Sequence, residues 1–263
     1  MIRLLALDLD DTLLSRDLSI SPRNFTAVQA ARQQGVEVIL ATARGWFGTR
    51  NYYQQLQLNS MAVCGSGTKI YDQQEACVKS WTIPLAVAKE ILNVAERNDI
   101  MMICSLPDKN LFNQVRPDWE DKIRPGIDIL VPNLVQELTQ APTQLFVKGE
   151  REVHILQEAL STSHPDYAVH TLLYQDGIPE MMIIHPNANK ASGIAWVCEQ
   201  RGIDQSEVMA IGDSANDLSM ISWAGTGVAM GWAPEHVKAA ANFSTHPEDL
   251  DGVATAIQQY ILD

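Results

Sequence analysis

The sequence has little cysteine, and its cysteines do not follow a metal-binding or redox pattern. The four of them, Cys64, Cys77, Cys104 and Cys198, form no C-x-x-C pair. Thiolate zinc sites and thioredoxin-like redox chemistry, which rely on such pairs, therefore have no support in the sequence. We expect free thiols in a reducing compartment.

Long apolar runs and positive charge are also scarce. No segment reaches the roughly 18 uninterrupted apolar residues of a membrane span, and the first residues reach Asp8 without a basic leader. We therefore expect a cytoplasmic protein. Lys and Arg total 19 against 32 Asp and Glu, a net charge of −13, which disfavours binding to nucleic acid or to an anionic membrane. An anionic substrate would need a local cation to offset this field.

The remaining composition is that of a globular protein. Hydrophobic residues make up 46% and charged residues 19% of the 263 positions, enough to bury a sizeable core and to exclude disorder along the whole chain. The length allows one large domain or two ordinary ones.

Both ends of the chain alternate between strand and helix patterns. Residues 2–7 form a short apolar run, a helix begins at Ser21-Pro22 and ends near Gly35, and residues 36–41 form a second apolar run. Similar units recur near residues 194–230. These βαβ units predict an α/β fold with a Rossmann-like, doubly wound parallel sheet.

The middle of the chain has a different pattern. Between residues 81 and 185, strand-like and helical stretches alternate irregularly and prolines punctuate the segment. We predict a core formed by residues 1–80 and 186–263, with an α+β domain inserted at 81–185.

Two acids follow the first predicted strand. On a strand, side chains at i and i+2 share a face, so Asp8 and Asp10 are expected to point the same way, with Cα atoms about 6.5–7 Å apart. Like charges at a desolvated strand end are costly unless a cation neutralises them. A lone D-x-D is more typical of a helix cap with solvated turn residues than of a metal site, so its interpretation depends on the other acids.

A second acidic segment, GDSAND at 212–217, follows another predicted strand. A capping box, with Ser214 as N-cap and Asp217 three residues later, explains two of its residues. It leaves Asp213 and Asn216 unexplained. If Asp213 joins the two acids of the first strand, three carboxylates converge at one sheet edge, which is an oxygen-rich site suited to Mg²⁺.

Two further residues have positions that such a site would need. Thr42 ends the second strand, where its hydroxyl and the next backbone N–H could hold an anionic oxygen. Lys190 lies at a predicted helix start, where a cation opposes the helix dipole. A point charge for phosphate and a solvated surface lysine both fit this position.

The ordered set of DLDDT at 8–12, Thr42, Lys190 and GDSAND at 212–217 strongly resembles the haloacid dehalogenase-like phosphohydrolases. The late lysine and the insertion resemble the Cof-type branch of that family, which carries a C2 cap. The resemblance implies a Rossmann-like core, a mobile cap that selects the substrate, bound Mg²⁺, and hydrolysis of small phosphorylated metabolites, such as sugar phosphates, through an aspartyl-phosphate.

The resemblance also implies roles for the residues around the reacting phosphoryl group. Asp8 would be the nucleophile and a metal ligand. Asp10 would protonate the leaving group, then activate water, and its backbone carbonyl would bind the metal. Thr42, with the N–H groups of Leu9 and Ala43, would hold the transferring phosphoryl.

The later motifs would complete the site. In the family pattern Lys190 would pair with the phosphoryl and with the nucleophile, and Asn216 would reach the phosphate. Asp213 would bind the metal with Ser214 in contact, and Asp217 would orient the groups around the metal.

Three positions depart from the Cof-type pattern. Ala43 stands where the branch normally has glycine, and Ser66 and Trp232 each replace a frequent asparagine. None of these changes removes a proposed catalytic group, so they bear on substrate fit rather than on mechanism.

Two alternatives use the same chemistry. A phosphomutase would share the scaffold and would isomerise a sugar phosphate instead of hydrolysing it. A non-enzymatic receiver-like phosphoacceptor also surrounds Mg²⁺ with strand-end acids, a Thr and a Lys, but it needs a shorter chain without an insert. Repeated turnover with a phosphate monoester distinguishes an enzyme from such a switch.

Overall fold

The structure is a computed structural model, and it describes residues 1–115, 123–165, 167–173, 177–246 and 251–263. In these ranges the strands are β1 (Leu4–Leu7), β2 (Glu37–Leu40), β3 (Ala62–Cys64), β4 (Lys69–Tyr71), β5 (Cys77–Ser80), β6 (Ile103–Ser105), β7 (Asn110–Phe112), β8 (Asp128–Leu130), β9 (Gln144–Lys148), β10 (Ala168–Leu173), β11 (Pro179–Ile184), β12 (Val208–Gly212), β13 (Thr226–Ala229) and β14 (Phe243–Ser244). The α-helices are α1 (Pro22–Gln33), α2 (Trp46–Gln55), α3 (Leu85–Arg97), α4 (Leu134–Glu137), α5 (Glu150–Ser163), α6 (Lys190–Arg201), α7 (Leu218–Trp223), α8 (Glu235–Ala240) and α9 (Gly252–Ile257).

The chain divides into two compact units, Met1–Lys79 with Ala188–Asp263 and, between them, Ser80–Asn187. The first unit contains a five-stranded parallel sheet in the order β14-β13-β12-β1-β2. Strand β1 lies between β12 and β2 and is buried along its whole length, as expected for a parallel strand that is covered on both faces. A small sheet, β3-β4-β5, in which β3 and β4 are antiparallel, joins this unit through a parallel bridge between Ala41 and Val63.

Local signals explain the helix boundaries of the first unit. Ser21 caps α1 by accepting a hydrogen bond from the Asn24 N–H, with Pro22 in the first turn. Asn189 caps α6 in a reciprocal arrangement with Ser192, and the helix ends at Gly202 with φ of 60°. Ser21-Pro22 predicted the start of α1, whereas the capping role of Asn189 and Ser192 was not predicted from the sequence.

The second unit is an α+β module with its own core. Its described strands form a sheet in the order β10-β11-β9-β6-β7-β8, with antiparallel pairing except between β7 and β8. The predicted α/β fold with an inserted α+β module is confirmed. In the described parts of the chain, no helix combines the length and apolar character that a bilayer crossing needs.

Candidate active site

The polar residues of the motifs gather at the carboxyl edge of the parallel sheet. Leu7 pairs with Ile211 on one side and with Leu40 on the other, so β1, β2 and β12 end side by side. Asp8 and Asp213 come directly after their strands, and Thr42 follows β2 closely. Ligands bind at this edge in open α/β sheets.

Lys190 is the first residue of α6 and one of the most deeply buried side chains, with 1% exposure. Its Nζ donates hydrogen bonds to Asp8 Oδ1 at 2.6 Å and to Asp217 Oδ1 at 2.5 Å. A buried ammonium is tolerated when paired carboxylates compensate its lost hydration. Burial disfavours the charged lysine, but Asp217 and Asp8 outweigh that effect and raise its pKa. The surface-lysine interpretation is therefore wrong.

Asp217 organises the loop that follows β12. Its Oδ2 accepts hydrogen bonds from the N–H groups of Asp213 at 3.0 Å and Ser214 at 2.9 Å, and from the Ser214 hydroxyl at 3.1 Å. Its other oxygen binds Lys190. A Cβ at Gly212 would lie 2.4 Å from the Asp217 carboxyl carbon, so only glycine fits there. Asp217 therefore takes part in the predicted capping box with Ser214. The same carboxylate also binds the Lys190 ammonium.

Asp8, Asp213 and Asp217 form an acidic cluster in which one oxygen of each lies within 4.8 Å of the others. This spread is comparable with the roughly 4 Å between opposite ligands of an octahedral Mg²⁺. Burial, reinforced by the Asp217 charge, raises the pKa of Asp213 to about 7, while a hydrogen bond from the Thr12 hydroxyl at 2.9 Å opposes the rise. Burial and Asp217 likewise raise the pKa of Asp8 against the opposing Lys190. A set of crowded, desolvated carboxylates fits a divalent cation.

Asp10 does not belong to this cluster, and the strand argument that paired it with Asp8 is wrong. β1 ends at Leu7, and the chain turns through residues 9–13 with Asp11 at φ of 54°. The Asp10 side chain is 46% exposed, and Arg44 clamps it through Nε to Oδ2 at 2.8 Å and Nη2 to Oδ1 at 2.5 Å. The sequence analysis did not identify Arg44 as a functional residue. The signal that could have identified it is a cationic residue in the loop after β2.

Thr42 is fully buried, and its hydroxyl oxygen accepts a hydrogen bond from the Arg44 N–H at 3.1 Å. The hydroxyl proton remains available for another acceptor. The backbone carbonyl of Thr42 receives the Ser66 N–H at 3.0 Å, and Ser66 itself is buried with φ of 55°. The loop after β2 is therefore tied to the β3–β4 turn.

The turn between β3 and β4 also lies against the start of α6. Gly67 has φ of +94°, and a Cβ there would meet the Asn189 carbonyl oxygen at 2.0 Å. This close approach explains why a glycine occupies the turn next to the helix that carries Lys190. The remaining predicted residues lie in the loops of the same edge, with Leu9 buried and Ala43 and Asn216 partly buried.

Comparisons with known proteins show which family the chain belongs to. A family model for haloacid dehalogenase-like hydrolases matches residues 5–257. The chain is 29% identical to the 5-amino-6-(5-phospho-D-ribitylamino)uracil phosphatase YitU of Bacillus subtilis, over 98% of this chain and 97% of that protein. It is 26% identical to the pyridoxal phosphate phosphatase YbhA of Escherichia coli, over 99% of each. A crystal structure of a haloacid dehalogenase-like hydrolase from Bacteroides thetaiotaomicron matches with a TM-score of 0.82 and 25% identity, over 98% of this chain and 99% of that one.

The parallel sheet, the buried ion-pair cluster at its edge and these similarities define the class of protein, which is a phosphoric monoester hydrolase. More particularly, the chain belongs to the haloacid dehalogenase-like hydrolase family. The family resemblance of the motifs is thereby confirmed, and the receiver-like switch is not supported.

Proposed function

We propose that the protein is a Mg²⁺-dependent phosphatase that hydrolyses small phosphorylated metabolites through an aspartyl-phosphate on Asp8. The observation that carries the proposal is the buried arrangement in which Lys190 donates to Asp8 and Asp217 beside Asp213. It combines a carboxylate nucleophile, a fixed cation and a set of metal-binding oxygens at the ligand-binding edge of the sheet.

The reaction divides into two displacements at phosphorus. An Asp8 oxygen attacks, the bond between phosphorus and the leaving oxygen breaks, and Asp10 protonates that oxygen. Water then attacks the aspartyl-phosphate while Asp10 accepts its proton, so free phosphate leaves and Asp8 is regenerated. Two hydrogen bonds from Arg44 hold the Asp10 carboxyl group in one orientation for these proton transfers.

Other residues hold the charge of the phosphoryl group. Lys190 and the Thr42 hydroxyl, with the backbone N–H groups of Leu9 and Ala43, would bind its oxygens at the carboxyl edge of the sheet. Asn216 would contribute a side-chain amide from the turn after Asp213. Such preorganised donors lower the barrier because they need not reorient as charge moves.

The metal would be held by the carboxylates of Asp8 and Asp213, the backbone carbonyl of Asp10 and the Ser214 hydroxyl. Asp217 would stay outside this set, because its oxygens already accept from Lys190 and from the loop backbone. When bound, Mg²⁺ would supply positive charge that offsets the acids and the phosphoryl oxygens.

We further propose that the inserted unit, Ser80–Asn187, acts as a cap that selects the leaving group. The two relatives named above are named for a phosphoribitylaminouracil and for pyridoxal phosphate, which are both small phosphate monoesters. Substrates of this size, including sugar phosphates, are the class that we assign to this protein.

The test is phosphate release from a panel of small phosphate monoesters with Mg²⁺ and with EDTA. We expect repeated turnover with Mg²⁺ only, and we expect Asp8→Asn to lower kcat by roughly four orders of magnitude or more. Hydroxylamine should trap one acyl-phosphate per wild-type chain and none on Asp8→Asn. Equal phosphate release by the two proteins would refute Asp8 as the nucleophile.

A further inference from the structure

We infer that Trp232 is a specificity-determining residue whose indole face receives a planar aromatic leaving group of the phosphate monoester. The inference deepens the proposed phosphatase function and rests on it. It comes from the loop after β13, which none of the assigned catalytic roles uses.

The loop that carries Trp232 lies on the same sheet edge as the acidic cluster. β13 pairs with β12 in parallel, with Ala229 beside Gly212, and the Met230 N–H donates to the Gly212 carbonyl at 2.9 Å. Gly212 is the residue directly before Asp213. Trp232 therefore follows its strand at the end where β12 delivers a carboxylate to the site.

A hydrogen bond then ties the ring to the catalytic turn. The Trp232 Nε1–H donates to the Asp11 carbonyl oxygen at 2.9 Å. Asp11 directly follows Asp10, and the next residue, Thr12, donates its hydroxyl to Asp213. The indole is thus anchored by its edge to the segment that runs between the acid–base residue and the acidic cluster.

The anchored ring keeps an open apolar surface. Trp232 is 38% exposed, although burial of an indole is favourable. Its one polar atom is already paired, so the part of the side chain that faces solvent can offer only its aromatic surface. A polyhydroxylated group would lose water there without gaining a partner, whereas a flat ring would gain stacking and apolar contact.

Charge further restricts the class of ligand that would bind the indole face. The face of an aromatic ring carries partial negative charge, and the neighbouring cluster is acidic. An electron-poor or neutral ring is therefore favoured over an anionic one. The occupant that fits is the aromatic or heteroaromatic part of a substrate whose phosphate lies in the catalytic pocket.

The experiment compares two esters with the same number of carbon atoms, benzyl phosphate with its flat ring and cyclohexylmethyl phosphate with its puckered one. We expect the wild type to prefer the benzyl ester by about five- to tenfold in kcat/KM, mainly through KM. Trp232→Leu should abolish the preference. Trp232→Phe, which keeps a ring without the indole N–H, should retain most of it. Tyr260→Ala is the matched control, since Tyr260 is another partly exposed aromatic residue, packed on Phe243, and should leave the ratio unchanged.

Equal losses on both esters in Trp232→Leu would overturn the inference and would assign Trp232 only to anchoring the Asp11 turn. Unchanged kcat/KM values on both esters would overturn it as well. Calorimetric binding of benzylphosphonate and cyclohexylmethylphosphonate measures the same preference without the chemical step. Failure of the Asp8 assignment, seen with Asp8→Asn, is therefore distinguishable from failure of the Trp232 assignment.

Discussion

The Nζ of Lys190 lies 2.6 Å from Asp8 Oδ1, although 182 positions separate the two residues in the chain. The contact joins the first strand of the core to the first helix after the insertion. Both side chains are buried, so the ion pair forms only when the two segments of the core pack together. The proposed catalytic cation is therefore also a structural element of the fold.

Replacement of Lys190 by methionine should destabilise the protein as well as inactivate it. Without the ammonium, Asp8 and Asp217 face each other as uncompensated buried charges, and we expect a loss of about 3–5 kcal/mol in the free energy of unfolding at neutral pH. Urea denaturation monitored by circular dichroism measures this loss. Lys238→Met is the matched control, because it removes an exposed pair with Glu235 and should cost less than about 1 kcal/mol. Similar losses in the two variants would contradict the assignment.

The pH dependence of stability should report the acidic cluster in the metal-free protein. The pKa of Asp213 is raised to about 7 in the folded state, whereas an unfolded aspartate titrates near 3.9. The folded state therefore binds the extra proton between these values, so its stability falls as the pH rises from about 4 to about 7. In EDTA, the free energy of unfolding of the wild type should fall over that pH range by at most on the order of 4 kcal/mol relative to Asp213→Asn, which has no titrating carboxyl at this position.

Magnesium should reverse this trend, because it binds the ionised carboxylates of the folded state. Thermal unfolding of the wild type and Asp213→Asn, with and without Mg²⁺ across this pH range, provides the measurement. Parallel pH profiles for the two proteins in EDTA would count against a raised pKa at this position.

Gly67→Ala should lower the free energy of unfolding by more than the replacement of a glycine with positive φ ordinarily does. The added Cβ would meet the Asn189 carbonyl at 2.0 Å, so the start of α6 must shift and Lys190 with it. Gly35 is the control, because it has a similar φ of +85° and open space around its Cβ position. We expect about 1 kcal/mol for Gly35→Ala, with full activity, and a larger loss with a lower kcat for Gly67→Ala. Equal costs and equal activities would show that the close approach is unimportant.

Arg44→Gln should slow the reaction without unfolding the protein. The guanidinium makes two hydrogen bonds to the Asp10 carboxylate, and their loss lets the proposed acid–base group rotate, for which we expect about a tenfold or greater fall in kcat. Arg50→Gln on α2 removes a comparable exposed contact, to Glu75, and should leave steady-state kinetics unchanged. Identical kcat values for the two variants would exclude Arg44 as a positioning residue.

Much of the fold was predictable because its signals are local. Short apolar runs ending in acids indicated β1 and β12, and Ser21-Pro22 marked a helix start that the structure places at the same residues. The motifs also identified the residues that meet at the sheet edge. Parallel strands deliver their carboxyl ends to one side, so a chain-order argument suffices for Asp8 and Asp213.

What the sequence determined by itself is the class of fold and the set of chemical groups, since hydrophobic periodicity and motif spacing act over a few residues at a time. The tertiary structure alone decided which side chains contact one another. The turn after β1 sends Asp10 to Arg44 instead of to Asp8, Asp217 serves both Lys190 and its own loop, and Trp232 reaches Asp11 across 221 positions. Such contacts depend on backbone turns and on the packing of remote segments, which no local pattern encodes.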